Sequence, residues 1–334
     1  MRVLVLGGTG LISTAIAERL LHTGHDVTLF NRGKTPARFA GNVARIQGDR
    51  QDFGDFQNKV ITGGYDAVID MITFDPRTAA HAVEVFQGRV SQYLFCSTVC
   101  VYGGPLTTIP AHEDEPLRPV SEYGRGKRDA EQVFMTAWEQ SEFPVTIFRP
   151  SHCYGPGAPL LDIWGYNASL VSRIREGRPI LIPGDGRGLW QPGYVGDMAK
   201  GFVGALGCAA ALGMAYNVVG DEIMDWKSFH ERMARAIGCE ANLVCMTTSQ
   251  LLAGAPDGAG SMLEVNFQYH AAYTNGRLKA DVPEFSELML WEEGVRRTVE
   301  WMDATGLHEP CDSRPWIDQL AKEALAFEQK LAKK

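Results

Sequence analysis

The sequence predicts an α/β protein in which a doubly wound parallel sheet carries a smaller second lobe. Short apolar runs recur through the first 150 residues, and helix-length segments separate most of them. Such alternation is typical of a parallel sheet that is covered by helices on both faces. The runs that we interpret as strands are 3–6, 26–30, 44–49, 65–71, 92–98 and 145–150.

The second lobe is predicted from a change of pattern after Pro150. Loops rich in Gly and Pro surround a predicted helix at 167–177, and the apolar run 214–220 is expected to return to the sheet. Helical segments follow at 292–306 and in an amphipathic tail from 316. The predicted sheet domain therefore comprises 1–160 with 192–220, and the C-terminal lobe is built from the inserted segments 161–191 and 221–334.

Composition excludes several classes of function. The 334 residues are 45% hydrophobic and 22% charged, as in an ordinary globular protein, and the net charge of −8 disfavours a large nucleic-acid interface, which needs a basic face. No apolar run reaches the ~20 residues of a membrane span, and the N-terminus lacks a signal pattern, so we expect a cytoplasmic protein. The seven cysteines are scattered without a CxxC motif, which predicts free thiols and no metal site.

A glycine-rich turn predicts a dinucleotide site. Gly7, Gly8 and Gly10 lie in the segment GGTGLIS, between the first strand and a helical segment. At such a turn a phosphate can meet the backbone N–H groups of the helix N-terminus. A second strand ends about 20 residues later, and Ser13 is small enough for the helix to pack closely on the sheet. We therefore expect a Rossmann-type domain that binds NAD or NADP.

The end of the second strand bears on the choice of cofactor. Enzymes that bind NAD commonly carry an acidic residue there, whereas this chain has Asn31 followed by Arg32 and Lys34. Without a carboxylate to repel a 2′-phosphate, the local sequence favours NADP over NAD, although the two cations would equally serve as solvated loop charges. Asp49, after the third strand, is interpreted as an adenine contact or a turn residue.

Tyr123 and Lys127 form a second candidate site in the segment SEYGRGKRDAE. On a helix, residues four apart share a face, so the ammonium can favour the phenolate of the tyrosine. A tyrosine with an unperturbed pKa near 10 is a poor base at neutral pH, and a neighbouring lysine would improve it. The spacing alone is common on helix surfaces, and its meaning depends on the rest of the chain.

The chain resembles the extended short-chain dehydrogenase/reductase superfamily and, within it, the NAD-dependent epimerase/dehydratase family. The motifs that carry the resemblance occur in the family's order: GGTGLIS, CSTVCVYG, SEYGRGK, RPSHCYGPG, PGYVGDMAKGF and EEGVRRTVEW. The resemblance implies that Tyr123 is the general acid or base and that Lys127 holds the nicotinamide ribose. It also implies that the hydroxyl of Thr98 bonds the reacting oxygen.

The resemblance further implies two sets of binding residues. The cofactor site would comprise Gly7, Gly8, Thr9, Gly10, Leu11, Ile12, Asn31, Arg32, Asp49, Met71, Lys127, Pro150 and His152. The substrate site would comprise Thr73, Thr98, His152, Arg187 and Trp190. His152 would equally suit a structural loop histidine, and Trp190 would either stack on a ring of the substrate or pack inside the second lobe.

Two departures from the family pattern narrow the expected reaction. Dehydratases of the family carry acidic residues after the catalytic Thr, where this chain has Val99 and Cys100, so the 4,6-dehydratase reaction is disfavoured. Family members that bind nucleotide sugars place an Arg where this chain has Trp190, so a nucleotide-sugar substrate is in doubt unless Arg187 replaces that Arg.

The expected function is that of an NAD(P)-dependent epimerase or dehydrogenase that acts on a polyhydroxylated substrate, a sugar or sugar derivative. The family's habit of pairing through helices near the tyrosine implies a homodimer. Two alternatives stay open. The segments LFNRGKTP and QGDRQDF also resemble a branch that includes chloroplast stem-loop RNA-binding proteins, and the chain would otherwise suit a redox-sensing regulator that binds NADP without turnover.

Overall fold

A seven-stranded parallel sheet forms the centre of the computed structural model, which describes residues 1–36, 38–39 and 43–332. Its strands are β1 (Arg2–Leu6), β2 (Asp26–Asn31), β3 (Ala44–Gln47), β4 (Ala67–Asp70), β5 (Gln92–Cys96), β6 (Val145–Pro150) and β13 (Ala215–Val218). They lie in the order β13-β6-β5-β4-β1-β2-β3. The predicted α/β fold class is confirmed, and the order reverses between β1 and β4, where ligands bind in such sheets.

Helices cover both faces of the sheet. The helices of the chain are α1 (Leu11–His22), α2 (Phe53–Val60), α3 (Pro76–Phe86), α4 (Glu122–Ser141), α5 (Leu170–Arg175), α6 (Val195–Gly204), α7 (Trp226–Ala236), α8 (Thr248–Gly254), α9 (Gly276–Asp281), α10 (Trp291–Thr305) and α11 (Pro315–Ala332). On one face α1 packs against α6, and on the other α3 packs against α4. Their buried apolar side chains form two separate cores, one on each face.

The remaining strands are short and lie mostly in the second lobe: β7 (Cys153–Tyr154), β8 (Leu161–Asp162), β9 (Gly165–Tyr166), β10 (Pro179–Pro183), β11 (Leu189–Trp190), β12 (Gly193–Tyr194), β14 (Met224–Asp225) and β15 (Asn242–Met246). A third core, rich in tryptophan, joins these strands to α5, α7, α10 and α11. Within the run 192–220, β13 pairs with β6 and α6 packs on α1.

Several elements are shorter than the sequence predicts, for local reasons. The predicted strand 65–71 is observed only as β4, and its C-terminal end lies at Asp70 because that carboxylate turns the chain by accepting the N–H groups of residues 72 and 73. The helix predicted at 167–177 begins only at Leu170, since the side chain of Asn167 accepts hydrogen bonds from the N–H and hydroxyl of Ser169. In both cases a polar side chain accepts hydrogen bonds from neighbouring residues where the sequence pattern predicts regular helix or strand.

Within the described part of the chain, every helix is too short or too polar to cross a membrane. The same residues contain no group of His, Cys, Asp and Glu side chains that is arranged to hold a metal ion. All seven cysteines are free thiols.

Candidate functional site

A cavity of about 610 Å³ runs along the carboxyl edge of the sheet. One end, which we call the cationic end, is lined by 31–35 and 48–51, which follow β2 and β3. The other end, the tyrosine end, is lined by 96–98, Tyr123, Lys127 and 150–153. The glycine turn after β1 lies between them, so a single cavity joins the two sites that the sequence predicts separately.

The glycine turn is built for the close approach of a ligand. Gly7 and Gly8 have positive φ angles of 115° and 92°, and a Cβ on Gly8 would lie 2.6 Å from the side chain of Leu29. Gly10 is the N-cap of α1, and no side chain caps the first turn of that helix. Ser13 accepts the N–H of Gly10 through its hydroxyl, at 2.9 Å. The N–H groups in the first turn of α1 are therefore left without a side-chain acceptor, which suits the binding of a phosphate.

The side chain of Asn31 stabilises this turn through two hydrogen bonds. Its amide donates to the carbonyl of Gly7 at 2.9 Å, and its side-chain oxygen accepts the N–H of Gly33 at 3.0 Å. The sequence predicts a contact between Asn31 and the cofactor, but the structure gives this side chain two partners inside the protein. It lines the cavity as part of the support for the glycine turn.

The cationic end carries exposed positive charge without matching carboxylates. Arg32 and Lys34 both line the cavity, and neither forms an ion pair within the described ranges. Asp49 lines the same end without pairing with either cation, and one of its oxygens accepts the N–H of Gln51 at 3.0 Å, as in a turn. This end therefore favours an anionic group.

Helix α4 places Tyr123 and Lys127 on one face. Ser121 caps the helix by accepting the N–H of Gly124 at 3.0 Å, which fixes the start of α4 immediately before the tyrosine. The ammonium of Lys127 lies 6.0 Å from the centre of the Tyr123 ring and 4.4 Å from that of Phe74. The predicted pair is thus held together by ordinary helix geometry.

Lys127 is a buried cation whose position is fixed. Only 1% of the residue is exposed, and its ammonium donates to the carbonyls of Thr73 and Cys96, each at 2.7 Å. Burial lowers the pKa of Lys127, while the neighbouring Asp70 acts in the opposite direction. Two of its three protons are therefore engaged by the protein, and one remains for a ligand.

The phenol of Tyr123 is protonated in the free protein. The residue as a whole is 47% exposed, but desolvation around the hydroxyl raises the pKa of Tyr123, and the hydroxyl of Thr98 only partly opposes this. The sequence predicts that Lys127 lowers this pKa, yet burial dominates here. A larger positive charge near the phenol, such as a bound oxidised nicotinamide, would be needed to reach the phenolate.

The wall beside the tyrosine is formed by Ser97, Thr98, Ser151 and His152. Thr98 is buried, and its hydroxyl caps a 3₁₀ turn by accepting the N–H of Cys100 at 3.2 Å. The hydroxyl of Ser97 is buried without a partner, as is that of Ser151 after β6. Burial also lowers the pKa of His152 to about 4, so its imidazole is neutral at pH 7.

Asp70 is a supporting residue that sequence reasoning missed. It is fully buried at the end of β4, and its carboxylate accepts the N–H groups of Ile72 and Thr73 at 2.9 and 3.0 Å. It also accepts the hydroxyls of Thr73, at 2.6 Å, and of Tyr93. Asp70 thereby fixes the backbone whose carbonyl holds Lys127. Its place at the carboxyl end of a central strand was the available signal.

Four predicted residues lie off the main cavity. Gly8 packs behind the turn against Leu29. Thr73 is fully buried, with its hydroxyl bonded to Asp70, so it supports the site through its backbone. Trp190 stacks on Trp226 inside the second lobe, and Arg187 is exposed and lines neither that lobe's small cavity nor the main one.

The other predicted residues all line the main cavity: Gly7, Thr9, Gly10, Leu11, Ile12, Asn31, Arg32, Asp49, Met71, Thr98, Tyr123, Lys127, Pro150 and His152. The lining also includes Phe74, Ser97, Cys100, Ser151 and Tyr166, which sequence reasoning left out of the site. Most of these follow β4, β5 or β6 directly, and their position at the carboxyl edge could have indicated them.

The residues present fit a dinucleotide. The uncapped glycine turn suits a pyrophosphate, and the unpaired cations suit a ribose that carries a 2′-phosphate. At the tyrosine end, two buried serine hydroxyls have no hydrogen-bond partner within the protein, which suits a polar ligand.

Comparison with known sequences decides the family. The model of the NAD dependent epimerase/dehydratase family matches residues 3–219. The chain belongs to this family. The resemblance that the motifs indicate is therefore confirmed, and family membership supports a nucleotide cofactor.

Curated relatives of the chain have diverse functions. The chloroplast stem-loop binding protein of 41 kDa b of Arabidopsis thaliana is 27% identical over 71% of this chain and 63% of its own length. The 2′-dehydrokanamycin reductase of Streptomyces kanamyceticus is 27% identical over 73% and 69%. The mouse dTDP-D-glucose 4,6-dehydratase is 24% identical over 90% and 88%. The match thus spans less than two thirds of the chloroplast protein.

Solved structures share the fold. The dTDP-glucose 4,6-dehydratase of Bacillus anthracis, in complex with NAD, gives a TM-score of 0.73 at 19% identity over 91% of this chain and 97% of that chain. The UDP-glucuronic acid 4-epimerase of Bacillus cereus, also with NAD, gives 0.72 at 18% over 92% and 100%. At this level of identity the likeness establishes the architecture alone.

Proposed function

We propose that the protein is an NADP-dependent epimerase or dehydrogenase that acts on a hydroxyl-bearing carbon of a sugar or sugar derivative. The observation that carries this proposal is a single cavity with an uncapped glycine turn, unpaired cations at one end, and Thr98, Tyr123 and Lys127 at the other. NAD remains the alternative cofactor, since it would use the same turn. The homodimer implied by the family stays a prediction.

Three side chains would divide the work at the reacting carbon. A bound nicotinamide supplies hydride chemistry. Thr98 would donate a hydrogen bond to the reacting oxygen, and Tyr123 would take the hydroxyl proton during oxidation and return it during reduction. Lys127, with one N–H left free by Thr73 and Cys96, would hold the ribose and favour the phenolate.

Dehydration is disfavoured by the residues after Thr98. Val99 has no acidic group, and burial raises the pKa of the Cys100 thiol, so this thiol is a weak acid in a wall without a carboxylate. The named relatives include dehydratases, and the distinction from them rests on these two positions.

The proposal is tested by Tyr123→Phe, which keeps the ring and removes the hydroxyl. We expect NADP binding, measured by isothermal titration, to survive, while turnover of an identified substrate falls by at least about 10²-fold. Tyr65→Phe, at a buried tyrosine away from the cavity, is the matched control and should keep its activity. Turnover within a few-fold of wild type in Tyr123→Phe would exclude the catalytic role.

The likeness to a stem-loop binding protein favours a second candidate, RNA binding without turnover. A gel-shift titration with a stem-loop RNA tests it. Saturable binding of the RNA, together with full complementation by the Tyr123→Phe variant of cells that lack the protein, would favour this candidate over the enzyme. We expect no shift, because most arginines of the second lobe are paired with carboxylates.

A further inference from the structure

A second, smaller cavity adjoins the tyrosine end. It has a volume of about 20 Å³, and it shares Cys100, Ser151 and His152 with the main cavity. Its other walls come mostly from the second lobe, including Trp190 and Asn266, with Val99 and Gly103 from the sheet domain. A space of this size holds one oxygen-sized group, since a water needs about 10–15 Å³.

The walls around this junction carry almost no charge. Among the described residues that line the small cavity there is no Asp, Glu, Lys or Arg, and Lys127 is the only such residue at the tyrosine end. His270 accepts the N–H of Leu189 through Nδ1 at 3.0 Å. Apart from Lys127, the region where a substrate would react is therefore lined by groups without a formal charge.

Most arginines of the surrounding second lobe are paired with carboxylates. Arg232 binds Glu222 and Glu292. Arg277 binds Asp114 at 3.1 Å. Arg187, which the sequence suggests as a diphosphate clamp, is exposed and lines neither cavity. A diphosphate brought to this region would lack the charged partners that a buried anion requires.

Unpaired hydrogen-bonding groups remain in the same walls. The hydroxyl of Ser151 and the indole N–H of Trp190 are both buried without a partner, and both residues line the small cavity. The other two large buried tryptophans differ, because Trp226 donates to the carbonyl of Phe267 at 3.2 Å and Trp291 donates to that of Phe229 at 3.1 Å. The orphaned groups therefore mark a place for an external oxygen rather than a general property of the lobe.

We propose that the substrate is an uncharged ring that bears hydroxyl or carbonyl groups and no nucleotide diphosphate, and that Ser151 and Trp190 bind one of its oxygens in the small cavity. This inference rests on the proposed function, because it places the reacting carbon of the ring beside Tyr123. It sets the chain apart from solved neighbours of the same fold, such as the UDP-glucose 4-epimerase of Thermotoga maritima with UDP-glucose.

Isothermal titration of the NADP-saturated protein tests the charge of the substrate. UDP and kanamycin serve as an anionic and a cationic probe, and we expect neither to give a saturable signal. Saturable binding of either probe would overturn the inference while leaving the dinucleotide site intact. Failure of both NADP and NAD to bind would instead overturn the proposed function, so the two failures are distinguishable.

Thermal unfolding of two tryptophan variants tests the orphaned N–H. Trp226→Phe loses a hydrogen bond, whereas Trp190→Phe loses none, and both lose the same volume from the same stacked pair. We expect Trp226→Phe to unfold about 2 °C below Trp190→Phe. Equal midpoints would show that the Trp190 N–H already has a partner in the folded protein and would contradict its assignment to a substrate oxygen.

Discussion

The two ends of the main cavity both use positive charge, but they hold it in opposite ways. At the cationic end, Arg32 and Lys34 are exposed and have no carboxylate partner within the described ranges. At the tyrosine end, Lys127 is buried and its ammonium is bonded to two carbonyls. Exposed cations attract an anion without fixing it closely, whereas a buried, bonded cation fixes the position of a neighbouring group.

The difference extends to the groups around each charge. Burial raises the pKa of Tyr123 and lowers the pKa of His152, so both side chains are neutral near pH 7. We infer that the cationic end supplies affinity for the cofactor and that the tyrosine end supplies placement for proton transfer. Each prediction below alters one end and asks whether the other responds.

The largest effect is expected for Asp70→Asn at the tyrosine end. An amide cannot accept all four hydrogen bonds of the carboxylate, so the backbone that holds Lys127 should shift. A misplacement near 1 Å can cost about 10²-fold in rate, and we expect a loss of that order in kcat. The measurement is the kcat and KM of the variant with an identified substrate.

The pH dependence of that variant separates positioning from general damage. Because Asp70 supports the protonated form of Lys127, its neutralisation should move the pH profile of kcat, which a purely structural loss would leave in place. Asp66→Asn is the control, since Asp66 accepts the N–H of Arg2 at 2.7 Å at the opposite end of the same strand. An unchanged kcat in Asp70→Asn would show that Lys127 does not depend on this network.

A smaller effect is expected for Arg32→Gln at the cationic end. If Arg32 contacts a 2′-phosphate, the Kd for NADP should rise about tenfold while that for NAD stays the same. Isothermal titration of both cofactors measures this, with Arg45→Gln as a control at an exposed arginine outside the cavity. Equal losses for NADP and NAD would mean that Arg32 does not distinguish the cofactors.

The smallest effect is expected in the pH dependence of the free energy of unfolding, through His152 at the tyrosine end. The pKa of His152 is about 4 in the folded protein, below its ordinary value near 6.5, so the unfolded chain binds more protons between these values. Stability from this group is complete above about pH 6.5 and is lost as the pH falls toward 4.

Urea unfolding at pH 7.5 and pH 5 measures this loss. We expect His152→Asn to lose less stability on acidification than the wild-type protein. His230→Asn should reduce the acid loss by a similar amount, because His230 is a buried histidine outside both cavities whose pKa is also lowered to about 4. Parallel acid losses in the wild-type protein and His152→Asn would mean that His152 titrates normally.

Local patterns in the sequence were enough to predict the fold and the local structure at the two ends of the cavity. The turn at Gly7 and the spacing of Tyr123 and Lys127 depend on neighbours in the chain, and both appear where the sequence predicts them. The support for these groups depends on distant contacts. Lys127 is bonded to Thr73, 54 positions away, and no local pattern indicates that the backbone rather than the hydroxyl of Thr73 serves the site.

Trp190 illustrates the same limit in the second lobe. The sequence leaves its role open between ring stacking and packing, and the structure places it in the core against Trp226. Its unpaired indole N–H follows from the packing of three separate segments, β11, α7 and the turn at Leu263–Phe267. Such an arrangement becomes visible only in three dimensions.

The most direct test of the two-ended cavity is a crystal structure of the protein soaked with NADP. We predict that the pyrophosphate lies at the N-terminus of α1, with the 2′-phosphate beside Arg32 and the nicotinamide between Met71 and Pro150. Density for the nicotinamide beside Tyr123 would support the account. A cofactor bound in the reverse direction, or an ordered cofactor outside this cavity, would contradict it.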